Sequence, residues 1–176
     1  MELEYEILMA LQKLHTPFLD KLVVGITSLG NGGIIWILLG VVLLCREKSR
    51  PMGILVLLAL VLDYLSCNVI LKNLIARDRP CWVYTDVKLL ITSPGDFSFP
   101  SGHTASSFAA AAAVFIKNRK LGIWVLILAA LIGFTRLYLF VHWPTDVLGG
   151  LLLGIGCAFA ARFFLDVWNR RQKPCK

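Results

Sequence analysis

Three short stretches of this 176-residue chain gather residues that can do chemistry together. The first is Lys72-Asn-Leu-Ile-Ala-Arg77-Asp-Arg79-Pro80, where a lysine ending an apolar run is followed seven positions later by an arginine. The second, Pro100-Ser101-Gly102-His103, leads into an alanine-rich segment. The third runs from Thr135-Arg136 to His142-Trp143-Pro144-Thr145-Asp146, with a histidine and a carboxylate four positions apart across a proline turn. Each has an ordinary structural explanation. Lysine and arginine at helix ends snorkel to headgroups, a serine before a helix is an N-cap, and a His–Asp pair is often only a hydrogen bond. In combination they supply three cations, a helix N-terminus, two histidines and one carboxylate. That set suits a phosphoryl group, whose oxygens take the cations and N–H groups while one histidine attacks and the other handles the leaving group's proton. Two histidines and an aspartate also make a zinc ligand set, but the surrounding positive charge repels a cation, so neither a metal nor another cofactor is expected.

The elements that must hold these residues are membrane helices. The chain is 57% hydrophobic and only 16% charged, with a mean hydropathy of +0.73. A soluble domain carries about 25% charged residues. The net charge of +7 raises nucleic acid as a partner. Most basic residues, however, fall in three groups: Arg46, Lys48 and Arg50; Lys117, Arg119 and Lys120; and Arg162, Arg170, Arg171, Lys173 and Lys176. No group is interleaved with aromatics, and nucleic-acid binding is not expected. Apolar segments separate the groups, so all three fit on one side, which the positive-inside rule assigns to the cytoplasm. Six segments then cross: Pro17–Leu29, Ile34–Cys45, Met52–Leu71, Ser107–Ile116 (starting as early as Ser101), Leu121–Val141 and Val147–Leu165. Gly30-Asn31-Gly32-Gly33 reads as the turn of a hairpin joining the first two. Glu2–Leu14 reads as an amphipathic interfacial helix. Both ends are expected in the cytoplasm, with no signal peptide, and the whole of 1–176 forms one all-α domain. The motifs at 72–80, 100–103 and 135–146 then lie on the opposite, extracytoplasmic side. Five cysteines give no disulfide framework, and Asp63, inside a helix, is expected to pair with another buried polar group.

The three motifs together resemble the type-2 phosphatidic acid phosphatase superfamily, which shares its site with vanadium-dependent haloperoxidases. The family pattern is KxxxxxxRP, PSGH and SRxxxxxHxxxD, and Lys72–Pro80, Pro100–His103 and Thr135–Asp146 match it in order and internal spacing. The one departure is Thr135 for serine, which keeps the hydroxyl. The resemblance implies a six-helix membrane bundle and a metal-independent, two-step hydrolysis. By it His142 is the nucleophile that forms a phosphohistidine, Asp146 orients it, and His103 protonates the leaving oxygen before acting as base for water. Lys72, Arg79, Arg136, Ser101 and the Gly102 amide hold the phosphate. A neutral His142 and a protonated His103 imply a bell-shaped pH–rate profile.

A site at the outer membrane boundary points to a lipid phosphate or pyrophosphate, and for a bacterial cytoplasmic membrane the family resemblance implies undecaprenyl pyrophosphate as first expectation. Phosphatidylglycerophosphate and phosphatidic acid are the alternatives. A non-enzymatic lipid transporter or scramblase also needs a basic headgroup pocket, but has no use for the His–Asp pair. A haloperoxidase holding vanadate is a weaker reading, because those relatives are soluble.

Overall fold

The computed structural model describes residues 2–172. Lys173, Cys175 and Lys176 of the C-terminal basic tail lie outside the described residues. Helix α1 (Glu2–Gln12) is followed by α2 (Pro17–Leu29), a single 3-10 turn at Asn31–Gly33 and α3 (Ile34–Leu44). Helix α4 (Arg50–Tyr64) continues through a π-helical turn, Leu65–Leu71, into the short α5 (Lys72–Ile75). After the one-turn α6 (Pro80–Val83) come α7 (Gly102–Lys117), α8 (Arg119–Tyr138) and α9 (Pro144–Arg171). The ends are set by local chemistry. Pro17 and Pro144 occupy first-turn positions where a missing N–H costs nothing. Thr16 Oγ1 accepts from the Leu19 amide at 3.3 Å, and Asn118 Oδ1 from that of Leu121 at 3.1 Å.

Among the described residues, three helical runs are long and apolar enough to cross a membrane: Arg50–Val83, α8 and α9. Their outward faces carry Trp124, Leu152, Phe159 and Phe163, all more than half exposed, as suits side chains that meet lipid. The chain is a multi-pass membrane protein. At the bundle's centre is α7, packed against α4, α8 and α9. Its run Ala109–Ala113 is buried throughout, and these small side chains let the neighbouring backbones close in. Helix α9 uses the opening with glycines of its own. A Cβ on Gly150 would stand 2.7 Å from the Ser101 carbonyl oxygen, and one on Gly154 would collide with that of Ala105. The start of α7 and the start of α9 are thereby locked side by side.

The N-terminal third departs from the expected hairpin. Helices α2 and α3 meet at a bend of 42°, with Gly32 and Gly33 both at positive φ, so the chain kinks instead of reversing. The physical reason is length. At 1.5 Å per residue, 13 and 11 residues extend only about 20 and 17 Å, and neither covers a core of about 30 Å alone. Together they are long and apolar enough for one broken span. Helix α1 sits at the same end of the bundle as the three motifs: Glu4 bonds Arg77 and Thr145, and Gln12 Nε2 donates to the Tyr138 carbonyl at 3.0 Å. Helix α9 starts at that end and runs away from it for 28 residues. The described ends of the chain therefore lie at opposite ends of the bundle, against the expectation that they share a side.

Candidate active site

A π-helical turn immediately precedes Lys72. Such a turn fits an extra residue into the helix and rotates the residues after it, a distortion often found at functional positions. Lys72 is thereby buried at the site end of the bundle, 6% exposed. The α5 helix stops at Ala76, in left-handed backbone at φ 46°, and the chain then turns back to deliver Arg79, 2% exposed. Every guanidinium nitrogen of Arg79 is occupied. Nε donates to the Asp96 carbonyl at 2.7 Å and Nη2 to Asp96 Oδ1 at 2.8 Å. Nη1 donates to the Val141 carbonyl at 2.7 Å and reaches His142 Nε2 at 3.1 Å. Lys72 Nζ also pairs with the Asp96 carboxylate. Burial works against that carboxylate, but Lys72, through its hydrogen bond and charge, and Arg79 outweigh it and hold the group down to about 2.

The contact with Arg79 fixes the tautomer of His142. Arginine can only donate, so His142 Nε2 presents its lone pair and the ring proton sits on Nδ1. That nitrogen faces Asp146 Oδ2 and Ser98 Oγ, each at 3.5 Å, distances long enough to tighten when substrate arrives. Asp146 is fully buried and firmly held: Oδ2 accepts the Trp143 amide at 2.8 Å and the Ser98 hydroxyl. Just before the histidine Phe140, at φ 58°, makes the sharp corner that brings His142 back over α9. Its ring is clamped with Leu8 and Trp143. Burial first, then Arg79, Arg136 and Lys72, push His142 well below the ordinary imidazole range. These surroundings favour the neutral ring, the form a nucleophilic imidazole would need.

His103 is on the first turn of α7, and its Nε2 donates to Asn31 Oδ1 at 2.9 Å. Arg136, 3% exposed, bonds Thr27 Oγ1 through Nη1 at 2.7 Å, and its buried Nε finds no partner among the described residues. Thr27 lies in the last turn of α2, and Asn31 in the bend between α2 and α3. Gly30 there leaves room for the imidazole: a Cβ would stand 2.8 Å from His103 Cδ2. The hydroxyls of Ser101 and Thr135 are engaged elsewhere. Ser101 is fully buried, its Oγ accepting from Thr104 at 3.0 Å and its amide donating to the Asp146 carbonyl at 3.0 Å. Thr135 Oγ1 donates to the Ile132 carbonyl at 2.6 Å.

Lys72, Arg79, Gly102, His103, Arg136 and His142 line one cavity of about 1010 Å³. The same cavity extends between α3 and α4, where Ile37, Leu57, Leu60, Val61 and Leu65 form its wall. Asp146 stands behind His142, outside that lining. Asp63, expected to be paired, is 2% exposed, lines the apolar part and leaves Oδ1 without a hydrogen-bond donor among the described residues. Sequence spacing brought six of the eight expected residues to the cavity wall and Asp146 behind it, and left Ser101 in the helix packing. It missed Asp96, Ser98, Thr27 and Asn31. Pro94-Gly95-Asp96 reads as an ordinary turn, and the partners of His103 and Arg136 are separated from them by 72 and 109 positions.

Residues 52–171 match the family model described as the PAP2 superfamily. The chain belongs to the PAP2 superfamily. It is 34% identical over 171 residues to the undecaprenyl-diphosphatase BcrC of Bacillus subtilis strain 168, covering 94% of this chain and 86% of that one. It is 32% identical over 175 residues to phosphatidylglycerophosphatase B of the same organism, covering 91% of this chain and 82% of that protein. Among solved structures, a transmembrane PAP2-type phosphatidylglycerolphosphate phosphatase from Bacillus subtilis superposes with a TM-score of 0.76 at 30% identity. That match covers 99% of this chain and 88% of the other. This PAP2 chain is accordingly a hydrolase of phosphate esters.

Proposed function

We propose that this PAP2 protein hydrolyses the pyrophosphate of a polyprenyl lipid, taking undecaprenyl pyrophosphate to undecaprenyl phosphate through a phosphohistidine. The observation that carries the reading is the single cavity, with buried cations and two histidines at one end and an apolar wall at the other. A headgroup binds at the first while the adjoining chain lies along the second. The terminal phosphate takes Lys72, Arg79, Arg136 and the Gly102 amide. His142 Nε2 attacks the phosphorus, the N–P bond forms, the P–O bond breaks, and the leaving oxygen takes a proton from His103. Asp146 meanwhile holds the Nδ1 proton as the ring gains charge. Water then attacks the phosphohistidine, gives its proton to His103, and inorganic phosphate leaves with rupture of the N–P bond.

The basic groups at Arg46–Arg50 and Lys117–Lys120, with Arg170 and Arg171, mark the end remote from the site. The positive-inside rule supports a cytoplasmic face there and an extracytoplasmic site. Phosphatidylglycerophosphate is the second reading, favoured by the likeness to phosphatases of that lipid.

Phosphate release from purified protein in detergent, with undecaprenyl pyrophosphate, phosphatidylglycerophosphate and phosphatidic acid compared with and without EDTA, tests the proposal. The expected result is the highest kcat/KM on undecaprenyl pyrophosphate, unchanged by EDTA. A higher value on either glycerolipid would replace the substrate, and loss of activity in EDTA would replace the mechanism.

A further inference from the structure

Helix α1 lies outside the region shared with the family model, yet one of its side chains reaches the catalytic carboxylate through a single intermediary. That intermediary is Arg77, at a position that the first motif leaves open between its lysine and its arginine. Arg77 Nη1 donates to Asp146 Oδ1 at 2.8 Å and to Thr145 Oγ1 at 2.6 Å, while Nη2 donates to Glu4 Oε2 at 2.8 Å. Glu4 Oε1 in turn accepts the Thr145 hydroxyl at 2.6 Å and its amide at 3.2 Å. The guanidinium stacks over Trp143, 5.3 Å from the ring centroid. The α1 surface around Glu4 is packed too, with Leu8 fully buried and Tyr5 stacked on Tyr84 at 4.2 Å.

We infer that Arg77, held by Glu4 of the N-terminal helix, is a positioning residue for Asp146 and through it for the nucleophile His142. The inference rests on the phosphatase reading of the same site. The division of labour on the carboxylate supports it. Arg77 occupies Oδ1, which leaves Oδ2 to the Trp143 amide, the Ser98 hydroxyl and His142 Nδ1. A carboxylate free to rotate would lose the one oxygen that faces the ring. Arg77 does not line the cavity, so it is not one of the cations that hold phosphate. Burial alone would raise the Glu4 carboxyl, but its bonds from Thr145 and the charge of Arg77 hold it below the ordinary value. Glu4 is thereby kept ionised opposite the guanidinium.

The test uses the full chain in detergent, with Arg77→Gln, Arg77→Lys, Glu4→Gln and the Glu4→Gln/Arg77→Gln double variant. For each, kcat and KM for phosphate release are measured, together with the inhibition constant of orthovanadate as a probe of the phosphate seat. Arg77→Gln is expected to lower kcat by about 10- to 100-fold, with KM and vanadate inhibition within about twofold of wild type. Arg77→Lys should recover part of kcat. Glu4→Gln should lower kcat less, and should add nothing once Arg77 is gone, because the two act in series. An unchanged kcat in Arg77→Gln, or a loss that appears in KM and vanadate binding instead, would overturn the inference. Independent, multiplying effects of the two substitutions would do the same. Should Arg77→Gln fail to fold, the kcat of Glu4→Gln at unchanged KM decides. A wild-type protein that releases no phosphate would overturn the phosphatase reading as well, whereas an active wild type beside an equally active Arg77→Gln would remove this inference alone.

Discussion

Lys72 and Arg79, two of the cations a phosphate would need, are both paired with the side chain of Asp96. A substrate must therefore displace a carboxylate that is already seated, and that carboxylate is 54% exposed, so releasing it to water costs little. Only the Asp96 side of each pair is exposed, the cations being buried; a pair exposed on both sides is worth about 0.2–1 kcal/mol, and the upper end applies here. Asp96→Asn is expected to lower KM, and the inhibition constant of orthovanadate, by about fivefold. An increase in either would mean that Asp96 instead organises the cations for the substrate. With the carboxyl held at about 2, the competition persists across any working pH. The pH dependence of kcat/KM belongs to the histidines. On the proposed mechanism activity needs neutral His142, whose protonation is pushed down by its burial and by Arg79, so the acidic limb should fall well below the ordinary imidazole value of about 6.5. The residues legible in the sequence were those whose partners lie within one motif or whose spacing alone defines a role. His142 and Asp146, four apart, could be paired on paper. Asp96, Asn31 and Thr27 could not, because what identifies them is contact across the fold.

Among the elements, the long runs through α4, α8 and α9 were readable because about twenty largely apolar residues in a row have few other solutions. The central α7 was readable from its alanines, since a buried helix crowded by three neighbours needs small side chains. The N-terminal pair was not. Gly30-Asn31-Gly32-Gly33 permits a kink as well as a reversal, and tertiary packing decides between them: Asn31 is held by His103 and Thr27 by Arg136. The consequence for topology is concrete. If α2 and α3 make one broken span beside α4, α7, α8 and α9, the bundle crosses five times and α1 lies on the side of the site. In a cysteine-free background, Leu3→Cys and Trp168→Cys place exposed thiols on α1 and near the end of α9. A membrane-impermeant maleimide applied to intact cells is expected to label the first and not the second. Protection of both would restore the hairpin and an even number of crossings.

At the scale of the whole molecule, the net charge of +7 separates into two populations with different work. Arg46, Lys48, Arg50, Lys117, Arg119 and Lys120 flank the ends of helices remote from the site. Lys72, Arg77, Arg79 and Arg136 are gathered at the other end, where three line the cavity and Arg77 grips Asp146. At the site end α7 packs directly on α9, so the Pro100–His103 turn and Asp146 are held side by side. The claim on which the rest depends is that phosphoryl transfer passes through His142 Nε2. Rapid quenching of the purified enzyme with substrate labelled in the terminal phosphate, followed by peptide mapping, tests it directly. The predicted result is an acid-labile, base-stable phosphoryl group on His142, absent from His142→Ala, which should also lose about 10³-fold or more in phosphate release. Label on another residue, or turnover at the wild-type rate in His142→Ala, would contradict the account.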